Sequence, residues 1–313
     1  MVRIGIHSST AGSLERAAVH AHHIGANTLQ IFSASPRMWR AKLPDRVQVK
    51  LLAQQRAQHD LTPLVIHCNY LINLAAPPSH LRENSIQAFR GELERALIIG
   101  AEYLVVHPGN HKDVGLEKGL LNVAEAIALA WREVAPAYKA NARLSILLEN
   151  TAGAGAQMGG DFSELAIIRQ LTADYLEIPL GFCLDTCHCH VYGFDLATEA
   201  GFEKLLAAAS ENLGLEHIPV IHANDAKTPC HSHVDRHANI GTGYIGLEGF
   251  RRILNHADLR DKAFILETPD EPPGGHLHDL RTLKELVSPK KSSTPRKSSR
   301  SGTSAGLKTR RST

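Results

Sequence analysis

The sequence predicts a single α/β domain, a TIM-type (β/α)8 barrel, and three observations predict it. Eight short apolar runs punctuate the 313 residues. Helix-length stretches with apolar residues at three- and four-residue spacing lie between them. Six of the runs end on a histidine, aspartate or glutamate, at intervals of roughly forty residues, which suits one βα unit plus a functional loop.

In chain order, Val2–Ile6 and Thr28–Ile31 come first. Leu64–Ile66 is followed at once by His67, Tyr103–Val106 by His107, and Leu144–Leu148 by Glu149. Leu180–Leu184 leads to Asp185, Pro219–Ile221 to His222, and Ala263–Leu266 to Glu267. Among the intervening stretches, Ile86, Phe89, Leu93, Ala96 and Leu97 recur at helical spacing before a stop at Gly100. Leu120, Val123, Ile127, Ala130, Trp131 and Val134 repeat the pattern before Pro136. Val47, Leu51 and Leu52, then Leu165, Ile168 and Leu171, then Phe202, Leu205 and Leu206 show it more weakly. The barrel is expected over 1–287. From Ser288 the composition turns to Ser, Thr, Lys, Arg, Pro and Gly, so 288–313 reads as a disordered basic tail. That tail is either a solvated terminus or an arm that adds nonspecific affinity for a polyanion.

A hydrophobic content of 43% is ample for a large core, and no stretch approaches the roughly 18 unbroken apolar residues of a membrane span. Met1-Val2-Arg3-Ile4-Gly5 enters a strand-like run without a signal peptide's layout, so a soluble, cytoplasmic protein is expected, and a monomer is expected as well. Five cysteines are too few and too scattered for a disulfide framework. Cys187 and Cys189 alternate with His188 and His190; they read as small buried residues, because no second close pair completes a thiolate site. The net charge of +2 hides a segregation. Eight of the 34 basic residues lie beyond Ser288 with no acid, so the body carries a net charge of about −6.

If the runs are parallel strands of one barrel, their carboxyl ends meet at one mouth, where the six terminal groups face each other. Asp185 and His188 add a carboxylate and an imidazole three residues apart, the imidazole falling in the following loop. Asp235 and His237 are two apart, and in an extended loop both point the same way. His67, His107, Glu149, Asp185, His188, His222, Asp235, His237 and Glu267 are too many donors for one tetrahedral ion and suit two or three. Their mixed nitrogen and oxygen character favours Zn²⁺, with Mn²⁺ or Fe²⁺ as competitors. Such a site suits phosphoester displacement without a protein nucleophile.

The segments LLENTAGAG (147–155), FCLDTCHCHVYGFDL (182–196), HANDAK (222–227), HVDRHANIGTGYIG (233–246) and ILET (265–268) resemble those of endonuclease IV. These are the type 2 apurinic/apyrimidinic endonucleases of base-excision repair. The likeness extends through GIHSSTAGSLERA (5–17), VIHCNYLINLA (65–75) and VVHPGN (105–110), and so covers residues 1–286. The resemblance implies a TIM-type barrel, three zinc ions, and cleavage of the phosphodiester 5′ to an abasic site in double-stranded DNA, with trimming of blocked 3′ ends. It implies that His67, His107 and Glu149 hold the first zinc. Glu149 bridges to a second, held also by Asp185, His222 and Glu267, and His188, Asp235 and His237 hold the third. Glu149, Glu267 and Asp185 are the implied catalytic carboxylates. Arg37, Met38 and Trp39 match the family's DNA-penetrating loop, with Met38 where relatives commonly carry glutamine. Tyr70 and Leu71 match residues that insert near the abasic gap. Ala154 is a second departure, and His7 matches no ligand and reads as a neighbouring or structural group. The alternatives are a metal-dependent sugar isomerase or epimerase of the related barrel group, and a DNA-binding repair scaffold without cleavage.

Overall fold

Each of the eight apolar runs forms a strand, displaced by no more than a residue or two from its expected limits. The computed structural model describes residues 1–138, 143–270 and 274–289. All but the first two residues of the expected basic tail lie outside the described residues. The strands are β1 (Arg3–His7), β2 (Thr28–Phe32), β3 (Leu64–His67), β4 (Tyr103–Val106), β5 (Ser145–Glu149), β6 (Leu180–Asp185), β7 (Val220–His222), β8 (Asp225–Ala226), β9 (His237–Ala238) and β10 (Ala263–Leu266). β1 to β7 pair in sequence order, and β10 closes the ring between β7 and β1. All the barrel pairs are parallel, whereas β8 and β9 form a small antiparallel ribbon above the mouth.

The helices are α1 (Leu14–His23), α2 (Arg46–His59), α3 (His80–Ile99), α4 (Leu116–Tyr138), α5 (Phe162–Thr172), α6 (Thr186–Tyr192), α7 (Glu199–Asn212), α8 (Gly246–Asn255) and α9 (Gly275–Leu286). Their starts follow from capping side chains. Asp45 accepts from the Val47 and Gln48 amides, Ser79 from Arg82, Asp161 from Ser163, and Thr198 from Gly201. Gly100 ends α3 in the left-handed region at φ 77°, as the sequence predicts. Pro136 does not stop α4. It is accommodated near the helix end, where a missing N–H removes one bond from a helix held by buried Val123, Ile127, Ala130, Trp131 and Val134. In α2 only Leu52 of its three periodic apolar residues is buried, and Val47 and Leu51 are exposed.

The strand period of two splits the apolar side chains into two cores. Leu64, Ile66, Leu104, Val106, Ile146, Leu148, Phe182, Leu184, Phe264 and Leu266 belong to the large core shared with the helices. Val65, Val105, Leu147, Cys183, Val220 and Ile265 form a separate cluster inside the barrel. This inner layer is the floor on which the mouth stands.

Candidate metal centre

Two residues beyond each member of the inner layer, the strand period returns a side chain to the same inward face. From Val65, Val105, Leu147, Cys183, Val220 and Ile265, that step reaches His67, His107, Glu149, Asp185, His222 and Glu267. The same step from Gly5 and Thr28, which pair in register, reaches His7 and Gln30. Eight inward-facing side chains, one on or just beyond each barrel strand, therefore line the mouth at staggered heights. Six of them are the residues noted at the run ends.

The ligand atoms of His67, His107 and Glu149 lie within 4.8 Å of one another, and so do those of Glu149, Asp185, His222 and Glu267. Asp185, His188 and His237 form a third such group, and Asp235, His237 and Cys187 a fourth. Glu149 is common to the first two and Asp185 to the second and third. Asp235 stands between two rings, 3.1 Å from His188 Nε2 and 3.3 Å from His237 Nε2. The nine residues anticipated as ligands are thus all in one connected cluster.

His188 is not in a loop. It lies in α6, because Asp185 ends β6 and caps the helix, its Oδ1 accepting from the His188 amide at 2.8 Å. An aspartate in extended conformation is a favoured helix start. The helical turn then stacks the His188 ring over the strand end. His237 lies in β9, where pairing with Ala226 of β8 fixes its direction, and Asp235 precedes that strand by two residues.

The imidazole tautomers show what the cluster is built to hold. His67 donates Nδ1–H to the Cys68 carbonyl at 2.7 Å, and His188 donates Nδ1–H to the Asn150 carbonyl at 2.9 Å. His237 does the same to the Glu267 carbonyl at 3.2 Å, and His222 donates Nε2–H to Gln30 Oε1 at 2.9 Å. In a neutral ring the other nitrogen is then a lone pair. Each of those faces a carboxylate oxygen: His67 Nε2 lies 3.0 Å from Glu149 Oε2, and His222 Nδ1 lies 2.9 Å from Glu149 Oε1. Two lone pairs at that distance repel unless a cation lies between them. Protons or metal ions can play that part, and outer partners that fix ring orientation are characteristic of metal-binding histidines.

Titration follows the same logic. Burial lowers the pKa of His188, but Asp185, Asp235 and Glu149 outweigh it and push it up to about 10. Burial likewise opposes protonation of His237, and Asp235, Asp185 and Glu267 lift it to about 9. Glu149 resists burial through His107, His222 and His67, which hold it well below the usual carboxylate range. His107 goes the other way: burial lowers its pKa, and its Nδ1 is buried without a hydrogen-bond partner among the described residues. Burial also raises the Cys187 thiol, whose Sγ donates to the Arg236 carbonyl, and both Cys187 and Cys189 are buried as expected. A donor set of imidazoles and carboxylates with protonated thiols beside it fits Zn²⁺ or a similar divalent ion.

Comparison with known proteins places this geometry. A model of the family described as xylose isomerase-like TIM barrel matches residues 19–286. A protein of Solibacter usitatus called probable endonuclease 4 is 53% identical over 289 residues, covering 92% of this chain and 98% of its own. The chain belongs to the endonuclease IV family. A second probable endonuclease 4, from Halothermothrix orenii, is 43% identical over 86% of this chain and 94% of its own length. The solved endonuclease IV of Thermus thermophilus superposes with a TM-score of 0.79 at 36% identity, covering 91% of this chain and 98% of that one. A D-tagatose 3-epimerase-like protein superposes at 0.66 with 20% identity, a likeness of fold alone.

Within the endonuclease IV frame, the rim residues sit above the cluster. Met38 and Tyr70 are 51% and 64% exposed, so both are free to meet a large partner. Tyr70 packs edge-on against Phe32 at 5.5 Å, and Phe32 in turn lies 5.9 Å from the His67 ring. Arg37 is exposed, Leu71 half-buried, and Trp39 half-buried against the core, where it anchors its loop. A cavity of about 510 Å³ lined by His7, Ser9, Thr10, Phe32, Ser35 and Pro36 opens beside the cluster. The larger cavity of about 810 Å³ lies on the outer face between α4 and α5, away from every donor. Ala154 is exposed, and its amide donates to Gln157 Oε1.

Three supporting residues escaped the sequence reading. Gln30 joins His222, Glu267 and His7, donating from Nε2 to Glu267 Oε1 at 2.5 Å and to His7 Nδ1 at 3.0 Å. Asn150 Oδ1 accepts from the Asp185 amide at 2.7 Å. Asn224 donates to Asp185 Oδ2 at 2.6 Å and accepts from the Glu267 amide at 2.8 Å. Their only signal was a polar residue inside an apolar run, or an asparagine one or two residues beyond a strand-end donor. His7, anticipated as a neighbouring group, lies 3.3 Å from Glu267 Oε1.

Proposed function

We propose that this protein is a zinc-dependent endonuclease of DNA repair that cleaves double-stranded DNA 5′ to an abasic nucleotide, leaving a 3′-hydroxyl and a 5′-deoxyribose phosphate. The observation that carries the proposal is the chain of donor groups sharing Glu149 and Asp185, in a protein 53% identical to a probable endonuclease 4. His67, His107 and Glu149 would hold one ion, and Glu149, Asp185, His222 and Glu267 a second. His188, Asp235 and His237 would hold a third. When bound, such ions supply Lewis acidity and lower the pKa of water, which is the chemistry a phosphodiester displacement needs.

The chain's own residues orient that chemistry. Glu149 and Asp185 are fully buried, so their positions are fixed before substrate arrives. His67, His188, His222 and His237 are locked by their outer hydrogen bonds in the tautomer that presents a lone pair to the site. Tyr70, Leu71, Arg37, Met38 and Trp39 stand on the rim and would contact the duplex. Met38, an exposed apolar wedge, suits insertion at an unstacked step. The adjoining cavity would admit a displaced sugar-phosphate but needs no base to recognise. The same site would trim blocked 3′ ends, because the bond broken is again a phosphoester.

The direct test is a duplex carrying one tetrahydrofuran residue, incubated with zinc-loaded protein. A single nick on its 5′ side is expected, abolished by chelation and by Glu149→Ala. An intact duplex under these conditions overturns the proposal. Metal analysis separates it from sugar isomerisation, since about three ions per chain are expected for the nuclease and one or two for an isomerase.

A further inference from the structure

A buried ion pair outside the metal cluster ties together the two rim segments. Glu92 and Arg95, one turn apart on α3, are 3% and 4% exposed, with Arg95 Nη2 3.0 Å from Glu92 Oε1. Among the described residues, the hydrogen-bond and ion-pair partners of this pair are outside the metal cluster. Such a pair is expensive to bury unless other polar groups partner it, and here two loops supply partners to both Glu92 oxygens and to Arg95 Nε. Ser33, the residue after β2, donates from Oγ to Glu92 Oε2 at 2.5 Å and accepts from Arg95 Nε at 2.7 Å. Asn69, two residues beyond β3, donates from Nδ2 to Glu92 Oε1 at 3.2 Å. Its own Oδ1 accepts from the Leu71 amide at 3.1 Å, which carries the anchor onward to Tyr70 and Leu71. Ser33 likewise stands at the root of the segment with Arg37, Met38 and Trp39. Among the described residues, no side chain from Ala34 to Pro44 makes a hydrogen bond of its own to the barrel.

We infer that Glu92 and Arg95 are positioning residues: through Ser33 and Asn69 they hold segments 34–40 and 69–73 in one fixed relation, so that both meet the same stretch of duplex. The inference rests on the reading of those segments as DNA-contacting. Three features support it. One carboxylate serves both loop roots, the contacts span 59 and 23 residues of sequence, and every member is at most 8% exposed. A single buried carboxylate with two tethers transmits a displacement of either loop to the other.

The test uses the full chain with Ser33→Ala and Asn69→Ala, singly and together, which leave the ion pair intact. Amide hydrogen exchange without DNA is the first readout. Either single substitution is expected to speed exchange in both segments by about fivefold, the effect of losing one hydrogen bond. Acceleration confined to the substituted segment overturns the coupling. Incision of the tetrahydrofuran duplex is the second readout. KM is expected to rise about tenfold while kcat changes by less than about twofold, with zinc content unchanged. The double variant should lose less than the product of the two single effects. Equal losses in kcat and kcat/KM, or multiplicative effects, overturn the positioning role. If the unsubstituted protein does not nick the duplex, the nuclease reading fails, and the exchange data still decide whether the tether exists.

Discussion

Gln30 Oε1 lies 2.9 Å from His222 Nε2, although 192 residues separate them in sequence. That one contact decides which nitrogen of His222 carries hydrogen. It turns Nδ1 toward Glu149 and Glu267 as a lone pair. Gln30 reaches Glu267 with its amide nitrogen as well, so one uncharged side chain sets the geometry of two donors.

Replacing Gln30 with methionine keeps the volume and removes all three of its side-chain hydrogen bonds, to His222, Glu267 and His7. Metal affinity of the group containing His222 and Glu267 should fall about 10- to 100-fold, as for other outer partners of metal-binding histidines. Competition with a chromophoric chelator measures it. Unchanged affinity for every ion would show that His222 is oriented by packing alone.

Metal removal should make stability depend on alkaline pH. The folded pKa values of His188 and His237, about 10 and about 9, exceed the unfolded value of 6.5. Their contribution is therefore fully present below pH 6.5 and is lost as pH rises through 9 to 10. Glu149 and Glu267 are depressed despite burial, so they stabilise above their ordinary range and lose that contribution on acidification. The chelated protein should show a Tm that declines between neutral and strongly alkaline pH, with a smaller decline once zinc is restored. A flat or rising Tm for the chelated protein would refute this.

Gly5 should tolerate no side chain. A Cβ there would lie 2.0 Å from the Thr28 carbonyl oxygen, part of the β1–β2 pair, and backbone cannot step aside as a flexible side chain can. Gly5→Ala is expected to cost about 3 kcal/mol or more, the upper end of overpacking penalties. Urea denaturation gives the answer, and a midpoint equal to that of the parent protein rejects the prediction.

Met38 should matter to substrate and not to folding. It is exposed, whereas Trp39 beside it packs on the core. Met38→Ala should change stability by no more than about 0.5 kcal/mol. The KM for a lesion-bearing duplex should rise several-fold. Loss of stability with an unchanged KM would instead assign Met38 a packing role.

Most of the cluster is legible in the chain because its first six donors obey a local rule. Each follows an apolar strand, and the period of two in a strand fixes which face it points to. Glu149 and Asp185 need nothing more than that. His188 reads as a loop residue in the sequence because the capping role of Asp185 shows only when the strand end and the helix start are seen together. The link from Asp185 to His237 is hidden for a similar reason, since the position of β9 over the mouth is not a property of its two residues.

By itself the sequence determined the barrel, the inward direction of His67, His107, Glu149, Asp185, His222 and Glu267, and the family to which the chain belongs. Only the tertiary structure decided that Asp185 is shared as well as Glu149, which imidazole nitrogens face inward, and that Gln30, Asn150 and Asn224 support the donors. It alone placed the Glu92–Arg95 pair beneath both rim segments. The division has a physical cause. Alternation along a strand is set by backbone geometry within a few residues. Barrel closure brings Gln30 within 2.5 Å of Glu267 across 237 residues, and no local pattern encodes a contact made by the last strand meeting the first two.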